Sequence, residues 1–200
     1  NLHHTFTNIS GQDEDVNDKV GMRFSPNGKH TKATRFQVVY VFFFYCLMTL
    51  YWTTAKDFDQ FFRYGKTGDD RSKGKERFKN FMTILLWKIF YLSYILVLPI
   101  VILDVPWWHI ALGFVLLHAV AGLILSVVFQ LAHVVENTKF PKPDANGNIE
   151  TEWAIHQLET TADFAKNNWL VTFYVGGLNY QAIHHLFPRI CHVHYPKIAP

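Results

Sequence analysis

The chain has 200 residues, of which 50% are hydrophobic, and its formal net charge at pH 7 is +3. A charge this small does not indicate a nucleic-acid partner. The two cysteines, Cys46 and Cys191, form no CxxC pair, which argues against a disulfide framework or a thiolate zinc site. Because the mean hydropathy is +0.04, the apolar residues must be concentrated in particular segments.

The N-terminal region is polar and is followed by an uncharged segment. The chain begins at Asn1, without a methionine or a signal peptide, and we expect a single domain over residues 1–200 that belongs to a longer protein, truncated at both ends. Residues 1–35 contain the doublet His3-His4 and several turn signals. Residues 36–54 carry no charge, and a helix of this length measures about 28 Å, close to the hydrocarbon thickness of a bilayer.

The middle of the chain predicts a transmembrane hairpin. Residues 55–80 are rich in Lys and Arg, which indicates the cytoplasmic side of a membrane. Residues 81–103 and 107–131 are apolar, and only the short turn Asp104-Val105-Pro106 separates them. We therefore expect two transmembrane helices whose connecting turn lies on the outer side.

The histidine doublets constrain the topology. If His3-His4 and His184-His185 form one site, an even number of membrane crossings must separate them. The hairpin accounts for two crossings, so we expect residues 36–54 to lie in the interface or to re-enter the membrane. The sequence thus predicts an all-α, multi-pass integral membrane protein with a transmembrane hairpin and a cytoplasmic, histidine-rich helical cap.

The C-terminal third is polar again, with one short apolar stretch. Pro and Gly residues mark a loop after residue 133, and a helix is predicted around residues 152–166. Residues 169–178 are apolar but too short to span a membrane, so we expect them to enter the interface or to line a buried wall.

The motif Gln181-Ala182-Ile183-His184-His185 is the main candidate for chemistry. On a helix, Gln181 shares a face with both histidines, whereas the two imidazoles point about 100° apart. That divergence suits two neighbouring metal ions, and imidazole is a common ligand of iron, zinc and copper. The amide oxygen of Gln181 could stand where a third histidine ligand would lie. Pro188 predicts the end of this helix.

Three further histidines have alternative interpretations. His133 follows the hairpin, with Glu136 close by, and His156 lies on the predicted helix, with Glu159 at i+3. Each histidine is either a metal ligand whose second N–H is held by its glutamate, or a histidine of the interface or helix surface. We interpret His118, in the middle of a transmembrane segment, as a packed core residue.

Together these motifs resemble those of the membrane fatty acid desaturases. His3-His4-Thr5-Phe6-Thr7-Asn8, followed by Asp13-Glu14-Asp15, is similar to the second histidine box of the family, which would read HxxHH with one histidine before Asn1. The run from Gly176 to Pro188 resembles the third box, of the QxxHH kind found in front-end and related bacterial acyl-lipid or acyl-CoA desaturases. The likeness extends over the whole chain, although the first box is absent and Ala182-Ile183 replaces the Ile-Glu of many relatives.

The resemblance implies a non-haem diiron centre that uses O2 and two electrons, from ferredoxin or cytochrome b5, to convert CH2–CH2 in a fatty acyl chain to a cis double bond. The substrate would be a fatty acyl-CoA or an acyl-lipid, and the enzyme would lie among the lipids of a bacterial inner membrane or the endoplasmic reticulum, with its active site on the cytoplasmic side. No catalytic residue beyond the metal ligands is expected. The predicted metal ligands are His3, His4, His133, His156, Gln181, His184 and His185.

Two other functions fit the same histidines. A membrane diiron hydroxylase acting on an alkane, sterol or sphingolipid would use a similar ligand set. A histidine-rich membrane protein that binds metal without catalysis is the second alternative, but it would place ligands along the membrane helices, whereas here the doublets lie outside them.

Overall fold

The structure is a computed structural model that describes residues 2–16, 21–67 and 70–199. Within these ranges the ordered elements are helices and no β-strand occurs, as the sequence predicted. Three helices are long and apolar enough to cross a membrane: Thr34–Lys66, Gly74–Ile102 and Trp107–His133. The chain divides into two compact units, Asn1–Val41 with Leu125–Pro200, and Phe42–Ile124.

The first long helix is longer than the uncharged segment that predicted it. After the short helix α1 (Leu2–Thr5), a 3-10 turn at Thr34–Phe36 leads into α2 (Gln37–Tyr51). A π-helical turn then joins α2 to α3 (Asp57–Thr67), which carries charged residues. The helix continues because no Gly or Pro occurs between residues 34 and 64. The interfacial or re-entrant placement of residues 36–54 stays a prediction.

The predicted hairpin segments are both helical. The first consists of α4 (Gly74–Leu92), a π-helical turn and α5 (Leu98–Ile102), so it begins seven residues before the predicted residue 81. The π-helical turn lies just before Pro99, whose missing N–H and bulky ring disturb a regular α-helix at this place. The second is α6 (Trp107–His133), which continues two residues beyond the predicted end.

The unit of residues 42–124 is held together by close helix packing and by polar links. A Cβ atom on Gly122 would lie 2.5 Å from the carbonyl oxygen of Tyr45, so only glycine permits this approach. Lys88 forms an ion pair with Asp57 at 2.6 Å. His118 contacts hydroxyl groups of two other helices, with Tyr91 Oη 3.0 Å from its Nε2 and Thr49 Oγ1 3.2 Å from its Nδ1.

The other unit carries the remaining short helices. They are α7 (Trp153–Thr160), α8 (Trp169–Tyr174), α9 (Gln181–Leu186), a 3-10 turn at His192–His194, and α10 (Tyr195–Ile198). As predicted, α9 ends before Pro188. The aromatic side chains of α8 are exposed. Of the two predictions for residues 169–178, the buried wall is therefore wrong, and a position in the membrane interface stays a prediction.

The predicted helix over residues 152–166 was too long. It ends at Thr160, and Thr161 has extended backbone angles. The hydroxyl of Thr160 donates to the carbonyl of His156, and that of Thr161 donates to the carbonyl of Gln157. Such side-chain bonds compete with continuation of the helix, and two successive β-branched residues weaken it further.

Candidate metal centre

Three helices bring the predicted ligands together. The short helix α1 carries His3 and His4, and α9 carries Gln181, His184 and His185. His133 is the last residue of α6. All of these residues belong to the unit formed by residues 1–41 and 125–200.

The centre of the cluster consists of His3, His133 and His185. Each offers one ring nitrogen, and these nitrogens lie within 4.8 Å of one another. The Nε2 atoms of His3 and His133 are only 3.3 Å apart. His133 and His185 are fully buried, and His3 is 8% exposed.

Each of these imidazoles is held by its other nitrogen. Nδ1 of His3 lies 2.8 Å from Asp13 Oδ2, and Nδ1 of His133 lies 3.3 Å from the carbonyl oxygen of Thr160. Nδ1 of His185 lies 2.8 Å from Gln157 Oε1. All of these oxygens accept hydrogen bonds, so a proton on Nδ1 faces an acceptor in each ring, and the tautomer that fits is the one with a lone pair on Nε2.

Gln181 completes the cluster. Its Nε2 lies 2.8 Å from His133 Nε2 and 3.2 Å from His185 Nε2, so the amide donates to two imidazole lone pairs. Its Oε1 is buried and finds no hydrogen-bond partner among the described residues. The NH2 group therefore occupies a place to which the imidazole lone pairs would attract a cation. The neutral amide oxygen, which has no hydrogen-bond partner among the described residues, could bind such a cation.

The donor set fits a transition-metal ion. Two imidazole nitrogens bound to one ion at about 2.1 Å lie roughly 3.0–3.4 Å apart, and the separation between His3 and His133 falls in that range. Bare lone pairs at this distance repel each other unless a positive group lies between them. Neutral imidazoles oriented by hydrogen bonds at Nδ1 are the usual arrangement around bound iron, zinc or copper.

His4 and His184 form a second pair beside the first cluster. Their ring centroids are 4.8 Å apart, and the ring of His4 stacks on that of His185 at 4.3 Å with an interplanar angle of 1°. Nδ1 of His184 lies 3.3 Å from the hydroxyl of Tyr195, which can donate or accept and therefore suits either tautomer of the ring. This pair is adjacent to the central cluster, as expected for two neighbouring ions.

Burial keeps these histidines neutral. Desolvation, followed by repulsion from His184 and His3, lowers the pKa of His4 to about 4. Desolvation is also the largest cause of the lowered pKa of His184 and of His185, and neighbouring imidazoles add to it in both cases. Uncharged rings at neutral pH have the lone pairs that metal binding requires.

His156 does not join the central group. It is buried, its Nε2 has no partner in the described ranges, and it forms a hydrogen bond with the backbone of Thr7. The predicted roles of the two glutamates were wrong: Thr160 holds His133, and Glu159 pairs with Lys139 at 2.5 Å.

The remaining histidines lie apart from the cluster. His118 is buried with hydroxyl partners on both ring nitrogens, consistent with a core residue. His109 packs on Trp108, and His30 contacts Arg23. His192 is exposed.

Several residues that hold the ligands had no assigned role in the sequence-based prediction. Asp13 is 1% exposed and accepts from both His3 Nδ1 and the backbone N–H of Asn8. Gln157 and Thr7 are fully buried beside His185. Asp13 and Thr7 stand close to His3-His4 in sequence and Gln157 is next to His156, so proximity to candidate ligands was the available signal.

The family model described as "Fatty acid desaturase" matches residues 1–200. The chain is 40% identical over 199 residues to an sn-1 linoleoyl-lipid 6-desaturase of Arthrospira platensis, and the match covers 100% of this chain and 53% of that protein. It is 37% identical to a protein of the same name from Synechocystis sp., with 98% and 54% of the two chains covered.

A third relative comes from a fungus. The chain is 36% identical to an acyl-lipid (8-3)-desaturase of Mortierella alpina, with coverage of 98% of this chain and 44% of that protein. The chain thus spans about half the length of the curated relatives it matches. No solved structure matches it. The match over every residue confirms the resemblance indicated by the motifs, and the chain belongs to the fatty acid desaturase family.

Proposed function

We propose that the protein introduces a cis double bond into a fatty acyl chain by the reaction CH2–CH2 + O2 + 2 e⁻ + 2 H⁺ → CH=CH + 2 H2O. The observation that carries the proposal is the convergence of bare Nε2 atoms from His3, His133 and His185, each held by a hydrogen bond at Nδ1. Iron held by such neutral ligands supplies the oxidising power that an unactivated C–H bond requires.

The ligands divide into two groups in this proposal. His3, His133 and His185 hold one iron ion. Gln181 would bind it through Oε1 only after its amide has turned over, because Nε2 faces His133 and His185 in this structure. His4 and His184 contribute to the second. His156 stays a proposed ligand because its buried Nε2 has no partner among the described residues. Asp13 and Gln157 orient the imidazoles of His3 and His185 and favour a proton on Nδ1, and Tyr195 orients the ring of His184.

An acyl-lipid is the proposed form of the substrate. The relatives from Arthrospira platensis, Synechocystis and Mortierella alpina are named as lipid-linked desaturases. The three apolar helices support a membrane location, where acyl-lipids are found. An acyl-CoA remains the alternative carrier. We further propose that the site faces the cytoplasm, since the Lys- and Arg-rich segment of residues 55–80 favours that side.

The electron donor is proposed to be ferredoxin or cytochrome b5. Both supply single electrons, and the reaction requires two per double bond. Reconstitution with each donor in turn measures which of them supports turnover.

The test of the proposal is the fatty acid profile of host membranes, measured by gas chromatography–mass spectrometry. The protein is expressed from its complete reading frame, as wild type and as His185→Ala. The matched control is His192→Ala, which removes an exposed histidine outside the cluster. We expect a new unsaturated acid with the wild type and the control, and none with His185→Ala.

Other outcomes would contradict the proposal. A hydroxylated acid in place of the unsaturated one would assign the protein to the hydroxylases. Equal product from His185→Ala and wild type would exclude the cluster as the catalytic centre. No product from a wild type that is supplied with donor and lipid, and that holds iron, would indicate metal binding without this catalysis.

A further inference from the structure

We propose that Gln157 is a positioning residue that fixes the tautomer of His185, and that Thr7 supports it. The inference rests on the proposed metal site, because the tautomer matters only if Nε2 of His185 binds metal. Gln157 does not contact the other imidazoles through any described hydrogen bond, so its action passes through His185.

Gln157 lies in α7 and is fully buried. Its Oε1 is 2.8 Å from His185 Nδ1 and 2.9 Å from the hydroxyl oxygen of Thr7. The Thr7 hydroxyl oxygen is also 2.8 Å from the carbonyl of His3 and 3.2 Å from His185 Nδ1. Thr7 thus links the backbone of one proposed ligand to the partner of another.

The orientation of the Gln157 amide determines the tautomer of His185. With Oε1 towards the ring, Nδ1 must carry the proton and Nε2 is bare. With the NH2 group towards the ring, Nδ1 would have to accept, and the proton would move to Nε2, where it would block metal binding.

The hydrogen bonds of the amide itself do not select its orientation. The observed orientation leaves Nε2 of Gln157 buried without a hydrogen-bond partner in the described ranges. The opposite orientation would let the NH2 group donate to Thr7 Oγ1 while the Thr7 hydroxyl donates to the carbonyl of His3, but it would put Oε1 at the place where Nε2 finds no partner. The observed orientation is the one that goes with an unprotonated Nε2 on His185.

The partner of His185 also differs in charge from that of His3. Asp13 holds His3 with a carboxylate, whereas Gln157 holds His185 with a neutral amide. A carboxylate partner makes an imidazole a stronger donor to a metal than a neutral acceptor does. Replacing Gln157 by Glu should thus keep the tautomer, and it cannot weaken the donor.

The experiment measures iron affinity in the protein expressed from its complete reading frame and purified in lipid nanodiscs. Iron(II) is the probe, and the dissociation constant is obtained by competition with a chelator of known affinity. Gln157→Met removes the acceptor at similar length and is expected to raise the dissociation constant about 10–100-fold. Gln157→Glu should bind iron as tightly as wild type or more tightly. Gln12→Met, at an exposed position, is the matched control and should not differ from wild type.

A second pair of variants covers the case in which Gln157→Met does not fold. Thr7→Val keeps the side-chain shape and removes the hydroxyl, and Thr7→Ser keeps the hydroxyl. We expect a roughly tenfold weaker affinity for Thr7→Val, at the lower end of the effect of losing an orienting partner, and a wild-type affinity for Thr7→Ser.

The outcomes separate this inference from the proposed function. Wild-type protein that binds no iron would overturn both. Wild-type protein that binds iron, together with Gln157→Met of equal affinity, would overturn only the positioning role. Equal loss of affinity in Gln157→Met and Gln157→Glu would assign Gln157 a packing role instead, since packing is not rescued by a retained acceptor.

Discussion

Two settings of buried histidine occur in this protein, and they differ in how the ring nitrogens are used. His118, in the unit of residues 42–124, is 4% exposed and has a hydroxyl beside each nitrogen, from Tyr91 and Thr49. His185, in the other unit, is fully buried, and only its Nδ1 is held by an oxygen. Its Nε2 faces an amide nitrogen and other imidazoles.

The comparison shows why burial does not identify a ligand. Hydroxyl groups donate or accept, so they satisfy both nitrogens of His118 in whichever tautomer it adopts. At His185, the accepting oxygen of Gln157 lies beside Nδ1, whereas no oxygen lies beside Nε2, which faces the Gln181 amide nitrogen and other imidazoles. A ring nitrogen without an oxygen partner therefore distinguishes a candidate ligand from a histidine that links helices.

The largest effect should come from His133→Ala. We expect iron affinity to fall at least about a hundredfold, because the proposed central ligand is lost and partners that only orient a ligand already have effects up to that size. The measurement is iron per chain after dialysis against a chelator. His156→Ala, in the same assay, ranks the two candidates for the extra ligand. If His133→Ala retained iron and His156→Ala lost it, then His156 and not His133 would be the extra ligand.

Asn8→Ala should have the largest effect on folding. The side-chain amide donates to the carbonyls of His133, Thr160 and Lys139, and the residue has a left-handed φ of 56°. We expect a loss of about 2–3 kcal/mol in the free energy of unfolding, since buried carbonyls lose their donor and alanine adopts this backbone poorly. Chemical unfolding of the metal-free protein measures it.

The control for Asn8 is Asn167→Ala, at an exposed position. We expect it to stay within about 0.5 kcal/mol of wild type. If Asn8→Ala changed stability no more than this control, then the hydrogen bonds of Asn8 would not be what holds the polypeptide around the cluster.

His118→Phe tests the setting in which a buried histidine is held by hydroxyl groups at both ring nitrogens. It leaves the hydroxyls of Tyr91 and Thr49 without their imidazole partner, and we expect a loss of about 1 kcal/mol, as is typical for polar contacts between membrane helices. Iron content should not change. The thermal midpoint and the iron content of one nanodisc preparation report both quantities, and loss of iron would mean that the two settings are not independent.

The smallest effect should be a pH dependence of the metal-free protein. Burial lowers the pKa of His4 to about 4 from an ordinary value of 6.5, so the unfolded chain takes up a proton before the folded one does. Stability is then complete above about pH 6.5 and decreases as the pH falls towards 4. We expect His4 by itself to lower the thermal midpoint by roughly 2–4 °C between pH 7 and pH 5.5, in addition to the decrease due to His184 and His185, whose pKa values burial also lowers. His4→Gln should reduce the slope by this share, and an unchanged slope would assign the whole dependence to the other groups.

The sequence by itself determined the helices and the identity of most candidate ligands. Apolar segments of membrane length predicted α6 and most of α4 with α5, and Pro188 predicted the end of α9. The doublets His3-His4 and His184-His185, with Gln181, identified the family. These features depend on residue type and local spacing, and both can be read from the amino-acid sequence alone.

Only the tertiary structure decided which nitrogens are free and which histidine joins His3. His133 lies 130 positions from His3, and Thr7 lies 178 positions from His185. Residue spacing predicts neither contact, because each depends on how distant segments pack together. The early end of α7 combines both kinds of cause: Thr160 and Thr161 weaken the helix locally, and the carbonyl of Asn179 accepts the N–H of Phe164 in the extended segment that follows.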